Sequence, residues 1–203
     1  MSQNEIYLGN PNLKRANVAQ NFTPEQVEEF LKCSQDPVYF IKNYIQIISL
    51  DRGLIPFELY DFQSDMVNKF HANRFNIAKL PRQSGKSTVV TAYLLWYCLF
   101  NDNVNIAILA NKAATAREML QRLQLSYENL PNWLQQGVVN WNRGSLELEN
   151  GSKSWLLLLR LLLCGVCLLI SFSWMNLHSS QRILLTSSLA LFILLSLLVN
   201  LPK

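Results

Sequence analysis

Polar positions dominate Met1 to Gln20, and no apolar stretch of signal-peptide length occurs there. Residues 1–22 therefore read as an arm. Thr23-Pro24-Glu25-Gln26 then announces a helix. Thr23 suits the cap, Pro24 the first turn, and Gln26 the reciprocal position of a capping box. The helix is expected to run to about Ser34. Asp36-Pro37 opens a second helix, with Val38, Phe40, Ile41, Tyr44 and Ile45 at helical spacing on one face. Pro56 interrupts after a short apolar stretch, and a third helix is predicted from Tyr60 to His71.

From there the period changes. Phe75 to Leu80 has strand length and partial alternation, and Pro81 to Ser87 is a polar loop. Thr88 to Phe100 is apolar almost throughout, as a buried helix would be. Asn101-Asp102-Asn103 is a turn, Val104 to Ala110 a strand, and Ala113 to Leu130 a helix. Strand, loop, helix, strand, helix predicts a parallel sheet with crossovers. Val138–Trp141 and Ser145–Leu148 flank Asn142-Arg143-Gly144 as a hairpin, and Glu149 to Ser152 turns into a further strand.

Composition adds a seam. Charged residues are 16% of the 203, below the roughly 25% of ordinary soluble domains. All fourteen acidic residues lie at or before Glu149. From Ser154 to Lys203 the charges are Arg160, Arg182 and Lys203, and 19 of those 50 residues are leucine. Up to Lys153 fifteen basic residues balance fourteen acidic ones, so the overall +4 gives no argument for a nucleic-acid surface. Glycine, proline and the four cysteines exclude disorder, collagen and a disulfide scaffold. Cys33 and Cys98 fit a reducing compartment. Cys164 and Cys167 have no second pair, so a zinc site is not expected. His71 and His178 are isolated.

The chemistry lies in the first strand–helix loop. Gly85-Lys86-Ser87 has the form of a phosphate-binding loop. Such a loop aims backbone N–H groups at phosphate oxygens from a helix N-terminus. Lys86 would meet the β/γ phosphates, and the Ser87 hydroxyl would ligate Mg²⁺. The tripeptide alone has low specificity, and the glycine normally found five residues before Gly85 is Leu80. Its place between a predicted strand and a long helix is what the mechanism requires.

Pro81-Arg82-Gln83-Ser84-Gly85-Lys86-Ser87-Thr88 resembles the deviant Walker A motif of the large terminase subunits, the DNA-packaging ATPases of tailed bacteriophages. The likeness to the T-even-like myophage type extends over about residues 8–153. Pro11 to Asn17 resembles the family's lead-in, and Asp36-Pro37-Val38-Tyr39-Phe40 with Asn43-Tyr44 its upstream stretch. Tyr60-Asp61-Phe62-Gln63-Ser64-Asp65-Met66 is similar to its adenine motif. Leu130 to Gln135 and Asn142 to Ser152 resemble the segment before its next strand.

The resemblance implies an α/β fold: an incomplete P-loop NTPase domain, RecA-like with a parallel sheet, preceded by N-terminal helices and followed by an apolar helical tail. Its bounds would be an arm at 1–22, the ATPase part at 23–153 and the tail at 154–203. It implies ATP and Mg²⁺ as cofactors. Gln63 would read the adenine edge, and Phe62 would pack on the base. Gln83, Ser84, Gly85, Lys86, Ser87 and Thr88 would hold the phosphates. Arg82 would act in cis on the transferring γ-phosphoryl, beside Lys86. Partners would be duplex DNA, the portal protein and the small terminase subunit, in the host cytoplasm. The family's Walker B carboxylates, an apolar strand ending in Asp-Glu, have no counterpart after Glu149. An N-terminal fragment that binds nucleotide without hydrolysing it is therefore expected. A helicase-like P-loop ATPase is the alternative, and Arg82-Gln83 with the missing first glycine favours the terminase.

The last fifty residues have two readings. Trp155–Phe172 and Ile183–Leu201 each approach the length of a membrane helix, joined by Ser173–Arg182. A membrane-anchored nucleotide-binding protein would result, with Arg160 a cost inside the first span. The other reading is a shifted frame. Trp174 is TGG, Met175 is ATG and Asn176 begins AA, so reading from each third base gives GAT and GAA. That is Asp-Glu whatever synonymous codons are used. Phe172-Ser173 permits Phe-Leu before it, and Asn176-Leu177-His178 permits Phe-Ala-Phe after it. The family's missing motif then stands at its expected distance from the loop.

Overall fold

The computed structural model describes residues 6–49, 51–74, 76–110, 113–158, 181–186 and 191–195. Arg160, Cys164, Cys167, His178 and the Trp174-Met175-Asn176 signature lie outside the described residues.

The arm contains a hairpin. Strands β1 (Ile6–Tyr7) and β2 (Asn10–Lys14) pair antiparallel. The buried Gln135 amide fastens the hairpin. Its Oε1 accepts from the Lys14 N–H at 3.3 Å, and its Nε2 donates to the carbonyls of Asn12 and Leu130 at 3.1 and 2.9 Å. Glu149 continues the seam, accepting from the backbone N–H groups of Asn17 and Gly137 at 3.0 and 2.6 Å. Gln135→Leu would orphan these buried groups, and is expected to cost about 2–3 kcal/mol. Chemical denaturation checks this; a loss below about 0.5 kcal/mol would leave the arm undocked.

Helix α1 (Pro24–Gln35) starts as the sequence predicts, with the capping box between Thr23 and Gln26 formed in both directions. Asp36 caps α2 (Pro37–Tyr44) through the N–H groups of Val38 and Tyr39. The Glu29 carboxylate accepts from the phenols of Tyr39 and Tyr44 at 2.7 and 2.9 Å, binding α1 to α2. Those two donors hold its pKa below the ordinary carboxylate range. A second hairpin follows, β3 (Gln46–Ser49) with β4 (Gly53–Pro56), and then α3 (Asp61–Ala72).

Strand β5 (Asn76–Ala78) leads through the polar loop into α4 (Lys86–Phe100). Helix α4 is apolar all round, and Val89–Trp96, Cys98 and Leu99 are buried. Trp96 Nε1 donates to the Cys33 carbonyl of α1 at 2.7 Å, and the Tyr93 hydroxyl to the Phe70 carbonyl of α3 at 3.2 Å. Burial pushes the Cys33 and Cys98 thiols up to about 12, so neither is a nucleophile at neutral pH. Strand β6 (Asn105–Ala110), helix α5 (Ala113–Glu128) and the hairpin β7 (Val138–Trp141) with β8 (Ser145–Leu148) complete the predicted series. Strand β9 (Lys153–Leu158) runs parallel to β6.

Two expectations need correction. The sheet is mixed, not parallel, with order β5-β11-β10-β6-β9-β8-β7. Strands β5, β6, β9 and β10 point one way, while β8 and β11 run against their neighbours. The described part of the tail is strand, not helix: β9, then β10 (Gln181–Thr186) and β11 (Leu191–Leu195). Short apolar runs do not distinguish a central strand from a buried helix, and a strand buried on both faces needs only such a run. Among the described residues no helix is long and apolar enough to cross a membrane.

Strand β5 and strand β6 are not neighbours. Two positions separate them, and β10 and β11 fill both. The loop after β5 therefore opens at the carboxyl edge shared by β5, β6 and β10, where α/β sheets bind ligands.

Candidate functional site

The loop closes on itself around one carbonyl. Pro81 O accepts from Ser84 Oγ at 3.0 Å and from Lys86 Nζ at 3.1 Å. Gln83 and Gly85 both take the left-handed conformation, with φ of 63° and 71°. Gly85 stands immediately before α4 and bears no side chain that could cap it. The first-turn N–H groups of α4 thus have no acceptor within the helix and carry its positive end. Left-handed residues in a turn ahead of a helix N-terminus are a feature of anion-binding concavities. An alanine at 85 would put its Cβ 2.7 Å from Gln63 Nε2 as well as straining φ, so the position requires glycine.

A cleft of about 790 Å³ lies beside this loop. Its walls are the β3–β4 hairpin, the start of α3 and the loop itself. Of the residues predicted from sequence, Phe62, Gln63, Arg82, Gln83, Ser84, Gly85 and Thr88 line it. Lys86 and Ser87 stand on the adjoining first helical turn, with Lys86 turned back onto Pro81. Arg82 is exposed at the cleft wall. Arg52 and Arg82 against Glu58 leave the lining net positive, which favours a polyanion.

Gln63 is almost sealed, at 2% exposure. Its Oε1 accepts from the Tyr60 N–H at 3.0 Å and its Nε2 donates to the Ser84 carbonyl at 3.1 Å. The side chain braces α3 against the loop. Tyr60 and Phe62, at 68% and 44% exposure, stack with centroids 5.9 Å apart and planes within 9°.

Sequence reasoning passed over Arg52 and Arg122 at this place, and took Tyr60 only as the first position of the adenine-like stretch. Arg52 and Tyr60 line the cleft, and Arg122 Nη1 donates to Thr88 Oγ1 at 3.3 Å while pairing with Glu118. The Glu118–Arg122 spacing reads as a helical surface pair and nothing more. A second cavity, about 490 Å³, lies between the arm and α1, where Gln135 and Glu149 are committed to backbone groups.

The loop, its helix and the strands behind it fall inside one family match. Residues 77–159 match the family of the terminase large subunit, T4likevirus-type, N-terminal. The terminase match holds the whole loop, α4, β6, α5, the β7–β8 hairpin and β9. The likeness to large terminases read from the sequence is thereby shown for this stretch, while α1, α2, α3, Phe62 and Gln63 precede it. Among the described residues no cluster of three or more His, Cys, Asp or Glu is placed to hold a metal. A Mg²⁺ carried by phosphates asks less of the protein: one hydroxyl such as that of Ser87 and a set of waters.

Proposed function

We propose that this chain is the ATP-binding part of a viral DNA-packaging motor of the large-terminase kind, built on a RecA-like P-loop domain. The left-handed Gln83 and Gly85 ahead of the open end of α4 carry the reading. In it, the amides of residues 83–88 cradle the phosphates and Lys86 leaves the Pro81 carbonyl for the β/γ oxygens. Ser87 ligates Mg²⁺, and Arg82 reaches the γ-phosphoryl. The family match over residues 77–159 supports the motor assignment. Duplex DNA, a portal protein and a small terminase subunit belong to the same proposal as partners, and the host cytoplasm as the place.

Binding without turnover is part of the proposal. Hydrolysis needs a carboxylate for the Mg²⁺ shell and another to activate water. The strands that stand between β5 and β6 read QRILLT and LFILL, without an acid.

Equilibrium binding of ATP with Mg²⁺ to the full chain tests this. Lys86→Ala is expected to weaken binding by about tenfold or more, the loss of one charge-assisted phosphate contact. Phosphate release should stay at the blank. Equal binding by the parent and Lys86→Ala refutes the site, and turnover refutes the inactivity.

A further inference from the structure

We propose that the second cavity, between the arm and α1, is a docking site for a protein segment that carries a large apolar side chain beside a carboxylate. This cavity shares no lining residue with the cleft beside the loop.

Its walls are apolar. Val27, Phe30 and Leu31 stand at helical spacing on one face of α1, and all three line the cavity with Phe22 and Trp133. The Phe30 ring is held from both sides, by Phe22 and Phe100 with centroids 6.4 and 5.0 Å away. Phe22, Val27 and Leu31 remain 44%, 46% and 53% exposed. Apolar residues scattered singly over a surface mean little, but a contiguous apolar patch marks an interaction site. Here three such residues border one cavity. Its volume of about 490 Å³ is within the range of pockets that enclose a ligand, and has room for a large side chain.

The polar lining sets the charge of the occupant. Lys14, at the end of β2, is 7% exposed, and its ammonium donates to the Gln20 side-chain oxygen at 2.8 Å. Among the described residues it forms no ion pair. An ammonium has three donors, so Lys14 has donors to spare for an acceptor that enters the cavity. Its neutral partner also leaves it without the opposite charge that would offset its desolvation. The carboxylate of the lining does not supply that charge, because Glu149 spends its oxygens on the backbone N–H groups of Asn17 and Gly137. A carboxylate brought by a partner would make a charge-assisted hydrogen bond to Lys14, between walls that exclude water. A cationic segment would meet Lys14 as a like charge, and a wholly apolar one would bury the ammonium further with no counter-charge.

Selection from a displayed library of random peptides on the immobilised full chain tests this. Enriched peptides should carry Leu, Phe or Trp beside Asp or Glu. Leu31→Asp, a change at an exposed position, should weaken the best of them by about tenfold or more. Lys14→Met keeps the buried stem and removes the charge, and should weaken them by about tenfold. Replacing the peptide's acid by its amide separates charge pairing from general damage to the fold. That replacement should cost the parent about tenfold and Lys14→Met almost nothing, because the partner charge is already gone. Equal losses in the two chains would overturn the proposal. So would enrichment of apolar peptides without an acid, no enrichment at all, or binding untouched by Leu31→Asp. Sedimentation of the chain alone covers the other occupant. Self-association that Leu31→Asp abolishes would put a second copy in the cavity and overturn the assignment to a partner.

Discussion

Trp96→Ala should remove about 3–5 kcal/mol of stability, the range for truncating a buried large aromatic. Trp96 is 3% exposed, and its ring meets His71, Tyr93, Tyr97 and Phe100 with centroids 5.3 to 6.3 Å apart. The alanine would leave a cavity at the junction of α1, α3 and α4. It would also strip the Cys33 carbonyl of the indole donor 2.7 Å away. A domain of this size holds about 5–15 kcal/mol in total, so the loss is a large share. Trp96→Phe keeps most of the ring contacts and loses the donor, and should cost about 1–3 kcal/mol. Denaturant midpoints of the two variants separate cavity from hydrogen bond. A loss under about 1 kcal/mol for the alanine would mean that α4 is not the centre of the core.

That helix shows how far the sequence carries. Its apolar run has no polar face to leave in solvent, so the residue pattern alone implies burial. Thr23 with Gln26, and Asp36 before Pro37, mark the starts of α1 and α2 because a capping side chain acts within three residues of itself. The β7–β8 hairpin is legible for the same reason: Asn142 Oδ1 accepts from the N–H groups of Gly144 and Ser145, closing the turn locally. The arm hairpin is not legible. Its anchor, the Gln135 amide, acts on residues more than a hundred positions away. Nor is β3–β4, whose strands are four residues long and end at Pro56.

At the site the division is similar. The loop's residue types tell its chemistry, since glycine, lysine and serine act there through intrinsic properties. The commitment of Gln63 to Tyr60 and Ser84 depends on how α3 lies against the loop, which spacing alone does not encode. Arg52 enters the cleft by tertiary placement and carries no local signal. Sheet order escapes for a physical reason too. Apolar β10 and β11 are compatible with helix or strand, and pairing with β5 and β6 decides between them.

Removing residues 154–203 is expected to abolish cooperative unfolding and to drive association. Among the described residues β5 is joined to the sheet by β11 alone, and β6 is flanked by β10 and β9. A chain ending at Lys153 would lose all three of those partners. The loop would then hang on an unpaired strand, and the edges of β6 would template pairing with other chains. Sedimentation and thermal unfolding of residues 1–153 measure this, and a monomer with one sharp transition would refute it. The same two positions explain why the reading frame matters. We propose that the tail is an out-of-frame translation, and that the alternative frame, with Asp-Glu at codons 174–176, supplies the strand meant to stand beside the loop. A chain carrying that frame should release phosphate from ATP where the present one is expected not to, because the carboxylates would arrive at the carboxyl edge that already holds Lys86. Sequencing the coding DNA across codons 150–205 comes first. An open alternative frame through Asp-Glu sustains the proposal. Stop codons there would refute it and make the leucine-rich strands a native part of this sheet.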